Sequence, residues 1–295
     1  MRPTLLCLIA GLAFCSALPW DDSNTDEEGT YMGSRATNCK CGWANKESGR
    51  IVGGKLARAN EYPHMAALAK VYNRTVFPFC GASIIAARYL ITAAHCTYGQ
   101  TFKMTAIVGE HDFADDRESK YTAYYPVTAI NHELYDPKKI INDIALLITD
   151  RPITFSQYVG PICLPVGPSP PEGSRIKVTG WGLTAHKGSP SNILLKVPLQ
   201  IANLAKCSIA YPYNFINVYR PTQFCSYAYR RDSCQGDSGG PVTWLDPETN
   251  RYTLSGLVSF GRDCAGNDPG VNTDVYAFMP WIMNKMRGSN ICQKV

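Results

Sequence analysis

The chain has 295 residues, of which 45% are apolar and 18% are charged, a balance that excludes an intrinsically disordered protein. Its formal net charge of +5 is small for this length and excludes a strongly basic nucleic-acid-binding protein. The 24 glycines and 20 prolines favour a turn-rich β protein over a helical bundle, and the 12 cysteines indicate an oxidising compartment.

Residues 1–17 have the features of a secretory signal peptide. Arg2 supplies the positive start, Leu5–Phe14 is an uncharged apolar run, and a small-residue stretch ends at Ala17, after which we expect cleavage. A membrane anchor is the rival interpretation, but a spanning helix needs an apolar run about twice as long. The sequence therefore predicts a secreted protein. Two of the 12 cysteines leave with the signal, and the remaining ten can all form disulfides.

Residues 18–50 follow as a predicted prosegment. Residues 18–38 are polar and acidic without a periodic apolar pattern, so we expect a disordered or loosely held segment. Cys39 and Cys41 cannot easily bond to each other because a single residue separates them, so each is expected to bond to a distant cysteine. A zinc site is the alternative, but it needs two more ligands, and the sequence has no second close pair.

From Ile51 onward, short apolar runs rich in β-forming residues recur between turn residues. Their spacing predicts an all-β barrel or sandwich. Examples of these runs are Ala66–Val71, Gly81–Ile85, Tyr89–Thr92, Thr105–Val108, Ile144–Ile148, Ile176–Thr179 and Leu254–Phe260. Only the end of the chain has a helical pattern, over Tyr276–Met286, with Pro280 in its first turn.

The strongest chemical signal is the stretch Gly236–Pro241, which reads GDSGGP. A nucleophilic serine needs its hydroxyl exposed on a tight turn beside backbone N–H groups, and the glycines around Ser238 permit such a turn. The alternatives are an ordinary glycine-rich turn and the nucleophile elbow of an α/β-hydrolase. A hydrolase of that kind is excluded for a catalytic Ser238, because its histidine must follow the serine and no histidine does.

His95 is the best candidate for a catalytic base among the five histidines. It follows a predicted strand, beside two alanines and Cys96, whereas the other four lie in polar or turn-like sequence. Asp143 is a lone acid before the apolar run Ile144–Ile148. A carboxylate there is costly to bury unless it accepts hydrogen bonds, for example from an imidazole N–H. A turn residue at the edge of a strand is the alternative role for Asp143.

With these residues in place, the chain resembles the trypsin/chymotrypsin-type serine endopeptidases. The order of the histidine, aspartate and serine is that of the family, which is the standard template for this triad. The matching motifs, which span nearly all of residues 51–287, are Arg50–Gly54 (RIVGG), Thr92–Cys96 (TAAHC), Asp143–Leu146 (DIAL), Thr179–Gly182 (TGWG) and GDSGGP. The resemblance implies an all-β fold of two six-stranded antiparallel β-barrels with a short C-terminal helix. The Cys-x-Cys prosegment is similar to that of arthropod secreted or venom trypsins.

The resemblance also implies a role for each site residue. Ser238 attacks the scissile carbonyl, and His95 takes the serine proton and passes it to the leaving amine. Asp143 holds the imidazole tautomer and stabilises the imidazolium. The backbone N–H groups of Gly236 and Ser238 form the oxyanion hole, where the loss of one donor typically costs about 3 kcal/mol of transition-state stabilisation.

Substrate preference follows from Asp232, which lies six residues before Ser238, where trypsins place the carboxylate of the primary pocket. A buried anion needs a cation, so the resemblance implies substrates with Arg or Lys before the cut. A solvated loop acid is the alternative. Gly261 and Gly270 match the small residues that line an open pocket. Three departures from the family bear on efficiency and on the Arg/Lys ratio: Phe260 replaces Trp, Asp263 replaces Gly, and Asn272 replaces an aromatic residue.

The same resemblance implies activation by cleavage after Arg50. The cut frees the amine of Ile51, which then turns inward to pair with Asp237 and orders the oxyanion turn. Either another protease or the enzyme itself could make this cut, since the pocket favours Arg.

The acidic loop Glu110–Glu118 lies where trypsins bind calcium. Its carboxylate spacing is shifted, and Arg117 and Lys120 intrude. We therefore expect no metal and no cofactor, with calcium at this loop as the alternative.

The resemblance implies three disulfides within the protease domain: Cys80–Cys96, Cys207–Cys225 and Cys234–Cys264. Cys163 matches the cysteine that holds the prosegment, so it should bond to Cys39 or Cys41, which leaves Cys292 for the other. The choice between these two pairings stays open. Asn73 begins the only glycosylation sequon and is a candidate acceptor.

The sequence as a whole predicts the secreted zymogen of a monomeric trypsin-like endopeptidase. Its parts are a signal peptide (1–17), a prosegment (18–50), a protease domain (51–287) and a C-terminal tail (288–295). The expected partners are protein or peptide substrates, an activating protease and protein inhibitors, without nucleic acid or membrane. A catalytically inactive homologue that acts as a binding or regulatory module is the alternative, and a purely structural disulfide-rich module is a third that leaves the ordered motifs unexplained.

Overall fold

The computed structural model describes residues 29–45, 56–73, 75–115, 120–182, 189–212, 216–228, 237–262 and 268–295. Within these ranges the strands close into two six-stranded antiparallel barrels. The predicted fold class is confirmed, including the short C-terminal helix. Several predicted site residues lie outside the described residues: Arg50, Ile51, Asp232, Cys234, Gly236, Asp263 and Cys264.

The first barrel runs in the order β1-β2-β3-β6-β5-β4. Its strands are β1 (Met65–Tyr72), β2 (Thr75–Ala86), β3 (Tyr89–Thr92), β4 (Lys103–Val108), β5 (Ala123–Asn131) and β6 (Ala145–Thr149). The second barrel runs in the order β10-β11-β12-β9-β8-β7. Its strands are β7 (Arg175–Gly180), β8 (Leu195–Ala202), β9 (Gln223–Tyr227), β10 (Pro241–Asp246), β11 (Arg251–Phe260) and β12 (Gly270–Asp274). The helices are α1 (Ala94–Thr97), α2 (Leu204–Ala210) and α3 (Met279–Lys285), the last preceded by a 3-10 turn over Tyr276–Phe278.

Strand β1 illustrates how the apolar runs produce the barrels. Leu68 faces the interior cluster of the first barrel, whereas its neighbour Ala67 belongs to a second cluster. That second cluster also contains Leu257 from the second barrel and Ile282 from α3, so it joins the barrels and the C-terminal helix. Because both faces of Met65–Ala69 are buried, this part of β1 is a continuous apolar run rather than an alternating one. Full burial of one such leucine contributes about 1.5–3 kcal/mol.

Residues 29–45, here called the strap, lie against the second barrel and against the C-terminal tail (288–295). Backbone N–H groups of the strap donate to the β10–β11 turn, from Gly33 to Thr249 and from Arg35 to Glu248, both at 2.8 Å. The strap and tail also exchange backbone hydrogen bonds, including that from Val295 to Ala36 at 3.1 Å. The expectation that residues 18–38 are loosely held is therefore wrong for residues 29–38, whose order depends on partners more than 200 residues away in sequence.

Two disulfides fasten the strap, Cys39–Cys292 and Cys41–Cys163. These bonds settle which of the two pairings occurs. Beyond Cys41, Trp43 of the strap packs so closely on Gly160 that a Cβ there would lie 2.0 Å from its ring. No helix among the described residues is long and apolar enough to cross a membrane.

Candidate active site

His95 and Asp143 meet because their elements are neighbours in the first barrel. Strands β3 and β6 are paired, with Thr92 opposite Ala145. His95 lies three residues beyond Thr92, and Asp143 lies two residues before Ala145, so both emerge at the same end of the barrel. The ring Nδ1 of His95 is 2.8 Å from Asp143 Oδ2, and the His95 backbone N–H donates to Oδ1 at 2.8 Å.

Asp143 is a buried acid with several donors. Its side chain is fully shielded from solvent, and the Ser259 hydroxyl donates to Oδ2 at 2.5 Å. The Thr273 hydroxyl donates to the Asp143 carbonyl at 2.8 Å, which fixes the backbone as well. A carboxylate held in this way can fix the tautomer of a facing imidazole and stabilise its cation. The sequence does not single out Ser259 or Thr273, because each is only a small polar residue inside a buried strand.

Ser238 lies on the tight turn that leads into β10. Its carbonyl accepts from the Gly81 N–H at 2.8 Å and lies 3.7 Å from Cys96 Sγ, next to His95 in sequence. Gly239 follows with a φ of +73°, and a Cβ there would lie 2.1 Å from Thr92 Oγ1. Only glycine fits such a position. The turn of the second barrel is thus held against the first barrel, with the Ser238 backbone next to Cys96, the residue that follows His95.

The Cys80–Cys96 disulfide helps to position the histidine. Both sulfurs lie within 4.8 Å of a ring nitrogen of His95. Bonded sulfurs offer no thiolate, so this cluster is a structural support rather than a metal centre. The second expected bridge within the described residues, Cys207–Cys225, joins α2 to β9.

Asp237, the predicted partner of the Ile51 amine, is buried under the strand end of the TGWG motif. Its Oδ1 accepts from the Gly182 N–H at 2.9 Å. A Cβ on Gly180 or Gly182 would lie 2.2 or 2.4 Å from a carboxylate oxygen of Asp237. The two glycines of the motif are therefore required by the close approach of this carboxylate.

Gly261 and Gly270 face each other, because a Cβ on Gly261 would lie 3.9 Å from the Gly270 Cα. Asn272 follows two residues later on β12 and is buried, with its amide donating to Ser226 Oγ at 2.9 Å. Phe260 packs edge-to-face on Tyr211, with ring centroids 5.5 Å apart. These contacts lie at the ends of β11 and β12 that follow Ser259 and precede Thr273, the two residues that donate to Asp143.

Glu110, Asp112 and Asp115 are the described acids of the loop at which calcium is the alternative, and residues 116–119 lie outside the described ranges. The two carboxylate oxygens of Glu110 accept from the His111 N–H and the Thr122 hydroxyl. Burial raises the pKa of Glu110, which disfavours the charged form that a hard cation needs. Glu110 as placed is therefore a poor ligand for calcium.

Comparison with known proteins agrees with the geometry. The family model described as Trypsin matches residues 51–282. The chain is 39% identical over 265 residues to "Venom serine protease 34" of Apis mellifera, which covers 87% of this chain and 63% of that protein. It is 36% identical over 273 residues to "Venom serine protease" of Polistes dominula, covering 88% and 93%. It is also 36% identical over 239 residues to "Trypsin-1" of Astacus astacus, covering 79% and 98%.

Proposed function

The chain belongs to the trypsin family and is a trypsin-like serine endopeptidase, and we propose that it is a secreted zymogen that cleaves after Arg or Lys through His95, Asp143 and Ser238. The observation that carries the proposal is the buried Asp143, bonded to both the His95 ring and the Ser259 hydroxyl, in the cleft where the GDSGGP turn meets the first barrel. An inactive homologue would not need to keep a buried carboxylate aimed at an imidazole.

In the proposed mechanism, Ser238 Oγ attacks the scissile carbonyl while His95 Nε2 takes the serine proton. The Nδ1–H of His95 donates to Asp143, so the imidazolium forms next to a buried anion that does not itself become protonated. The tetrahedral oxyanion accepts from the N–H groups of Gly236 and Ser238. Collapse of this intermediate passes the proton to the leaving amine, and water then hydrolyses the acyl-enzyme.

We assign specificity to Asp232, with Gly261 and Gly270 as the open wall of its pocket. The open space at Gly261, where an added Cβ would meet only the Gly270 Cα at 3.9 Å, supports this assignment, because a side chain there would fill the space needed by a long substrate residue. A buried carboxylate recognises a guanidinium or ammonium far better than a neutral group.

Activation is proposed to follow cleavage after Arg50, with the Ile51 amine pairing with Asp237. Leu56 pairs with Leu195 in an isolated bridge, and Leu195 pairs with Gly180, whose Cα packs on the Asp237 carboxylate. Leu56 thus lies about two strand spacings, roughly 10 Å, from Gly180, and somewhat further from the Asp237 carboxylate. The five Cα–Cα steps from Ile51 to Leu56 can span up to about 17 Å, so the new terminus can reach the carboxylate.

We propose that the strap remains attached after this cut. The two disulfides of the strap join it to Cys163 and Cys292, on the far side of the Arg50–Ile51 bond. A peptide that contains residues 18–50 should therefore leave the activated monomer only after reduction. Its release without reductant, or a disulfide-linked dimer, would contradict the proposal.

Secretion is proposed from the predicted signal peptide together with disulfides that need an oxidising compartment. Asn73 is exposed in the turn between β1 and β2, as a glycan acceptor must be. The proposed partners are protein or peptide substrates, an activating protease and protein inhibitors of a monomeric enzyme.

The test is to replace residues 46–50 with the recognition sequence of a protease that does not cut after Arg, activate the precursor, and assay peptide amides that vary the residue before the cut. We expect Arg and Lys substrates to dominate. A Ser238→Ala precursor treated identically is the control for contaminating activity. Preference for Phe or Leu would contradict the pocket assignment, and turnover equal to that of the alanine variant would favour the inactive homologue.

A further inference from the structure

Arg262 lies at the edge of the pocket wall, one residue beyond Gly261, and is held in a defined place. Its guanidinium stacks on the Tyr211 ring at 5.2 Å from the centroid. Tyr211 is itself fixed, since it is buried, packs on Phe260, and donates its hydroxyl to the Pro269 carbonyl at 2.6 Å. A cation stacked on a fixed ring is preorganised for a ligand.

Most donors of this guanidinium are unused. Nη1 donates to Asp268 Oδ2 at 3.1 Å, and the side chain of Arg262 is 47% exposed. Among the residues that the structure describes, the Nε–H and Nη2–H groups have no hydrogen-bond acceptor. Arginine presents its five N–H donors in a planar fork that suits a carboxylate, so Arg262 can bind a second carboxylate.

The position of Arg262 relative to the reaction follows from β11. Ser259 contacts Asp143, Gly261 faces Gly270 of β12, and on its other side β11 bonds to the turn before β10 only as far as Val258. Among the described residues, the edge of β11 from Ser259 onward is therefore open on the side away from β12, where an extended substrate can add as a further strand. A side chain projecting from this edge meets the part of the substrate that precedes the cleaved bond.

We propose that Arg262 recognises an acidic side chain three residues before the substrate's cleaved Arg, and that this chain's own activation segment is such a substrate. The segment reads Glu47-Ser48-Gly49-Arg50, so Glu47 stands at that distance from the bond to be cut. Three extended residues span about 10 Å, a distance bridged by the long side chains of Glu47 and Arg262 when Arg50 occupies the pocket. The inference rests on the proposed function. It means that one activated molecule cleaves the activation segment of another.

Asp268 does not prevent this recognition. Its pair with Arg262 is exposed on both sides, with side chains 47% and 37% accessible, and such pairs are worth about 0–1 kcal/mol. The substrate carboxylate can join through the unused N–H groups or displace Asp268. Removal of the competing charge should therefore increase the preference for an acid.

The first experiment compares two isosteric peptide amides, Glu-Ser-Gly-Arg and Gln-Ser-Gly-Arg, with the full-length activated enzyme. We expect a Glu/Gln ratio of kcat/KM of about 3–5 at low salt, falling as salt is added. The ratio should fall to about 1 in Arg262→Gln and below 1 in Arg262→Glu, and it should rise in Asp268→Asn. Because each ratio is measured within one enzyme, a general loss of activity in a variant cancels.

A ratio near 1 in the unchanged enzyme, or one that persists in Arg262→Gln, would overturn the proposal while leaving the preference for Arg intact. If neither peptide is cut, both the proposal and the proposed function fail.

The second experiment uses a Ser238→Ala precursor, which cannot cut itself, as the substrate of the activated enzyme. Conversion should slow in the Glu47→Gln precursor by the same factor as the peptide ratio. Equal conversion of the two precursors would show that the activation segment is not recognised in this way.

Discussion

The strap is held in a different way from the active-site edge, which comprises Asp143 and the end of β11 from Ser259 to Arg262. The strap is cross-linked by two disulfides, its Trp43 is buried, and the guanidinium of Arg251 donates to the Gly29 and Tyr31 carbonyls. At the active-site edge Asp143 and Ser259 are buried and bonded to each other, whereas Gly261 and Arg262 are exposed.

The difference separates stability from turnover. A segment with no core of its own is fixed by covalent bonds and buried partners, and its loss should weaken the fold. The reacting groups are fixed one by one beside a surface left open for substrate, and their loss should stop catalysis while the fold persists.

The largest expected effect is the loss of turnover when the proposed nucleophile is replaced. Ser238→Ala should lower kcat by roughly 10⁴- to 10⁶-fold, because the triad groups act as a unit. The melting temperature should stay close to that of the unchanged protein, since the side chain removed is small and only partly buried. Active-site titration of the activated enzyme with a covalent serine-directed probe, alongside kcat on a peptide amide, measures this effect. Comparable turnover by a contaminant-free variant would refute the assignment.

On the strap side, the largest expected effect concerns pH. His64 is fully buried beside Pro63, whose carbonyl accepts from Gly160, the residue that packs on Trp43. Burial lowers the pKa of His64 to about 3. Below about pH 6.5, His64 binds a proton in the unfolded chain but not in the folded chain. The free energy of unfolding should therefore fall as pH drops from about 6.5 to 3. At 1.36 kcal/mol per unit, this loss is at most about 5 kcal/mol.

Chemical denaturation at several pH values checks this effect as a difference between proteins. The unfolding free energy of His64→Gln should depend less on pH in this window than that of the unchanged protein. His64→Phe, which keeps a ring of similar size, should behave as His64→Gln does. Parallel pH curves for all three proteins would show that His64 does not titrate on unfolding.

A double serine variant can remove one of the two disulfides of the strap. The double change Cys41→Ser with Cys163→Ser should lower the free energy of unfolding of the precursor by about 3–4 kcal/mol, because the bond closes a long loop. Well below the melting temperature, kcat/KM of the activated enzyme on a small peptide should change little. The matched control is Cys39→Ser with Cys292→Ser, which removes the other bond. A loss of turnover without a loss of stability would contradict the separation.

The two regions also differ in how far the sequence predicts them. His95, Asp143 and Ser238 stand out because each interrupts an apolar or glycine-rich pattern with a group that needs a partner. The strap has no such pattern, and its order comes from residues such as Thr249 and Val295, which are distant in sequence. Local composition therefore indicated loose structure where tertiary contacts and disulfides impose order.

Ser259 belongs to the active-site edge, and its replacement is expected to have the smallest effect. Its hydroxyl is one of several donors to Asp143, so Ser259→Ala leaves both contacts with His95 in place. Removal of one hydrogen bond to a charged group costs about 1.5–3 kcal/mol, less where other donors remain, so we expect kcat to fall by about tenfold. KM should stay nearly constant, since the hydroxyl points to the acid rather than to the substrate. Ser255→Ala, a buried serine four residues earlier on β11, should leave kcat unchanged. If both variants lose activity equally, the loss reflects packing of the strand. If only Ser259→Ala loses kcat, the hydroxyl acts through the charge of Asp143. The residues that position the candidate triad would then include one from the second barrel.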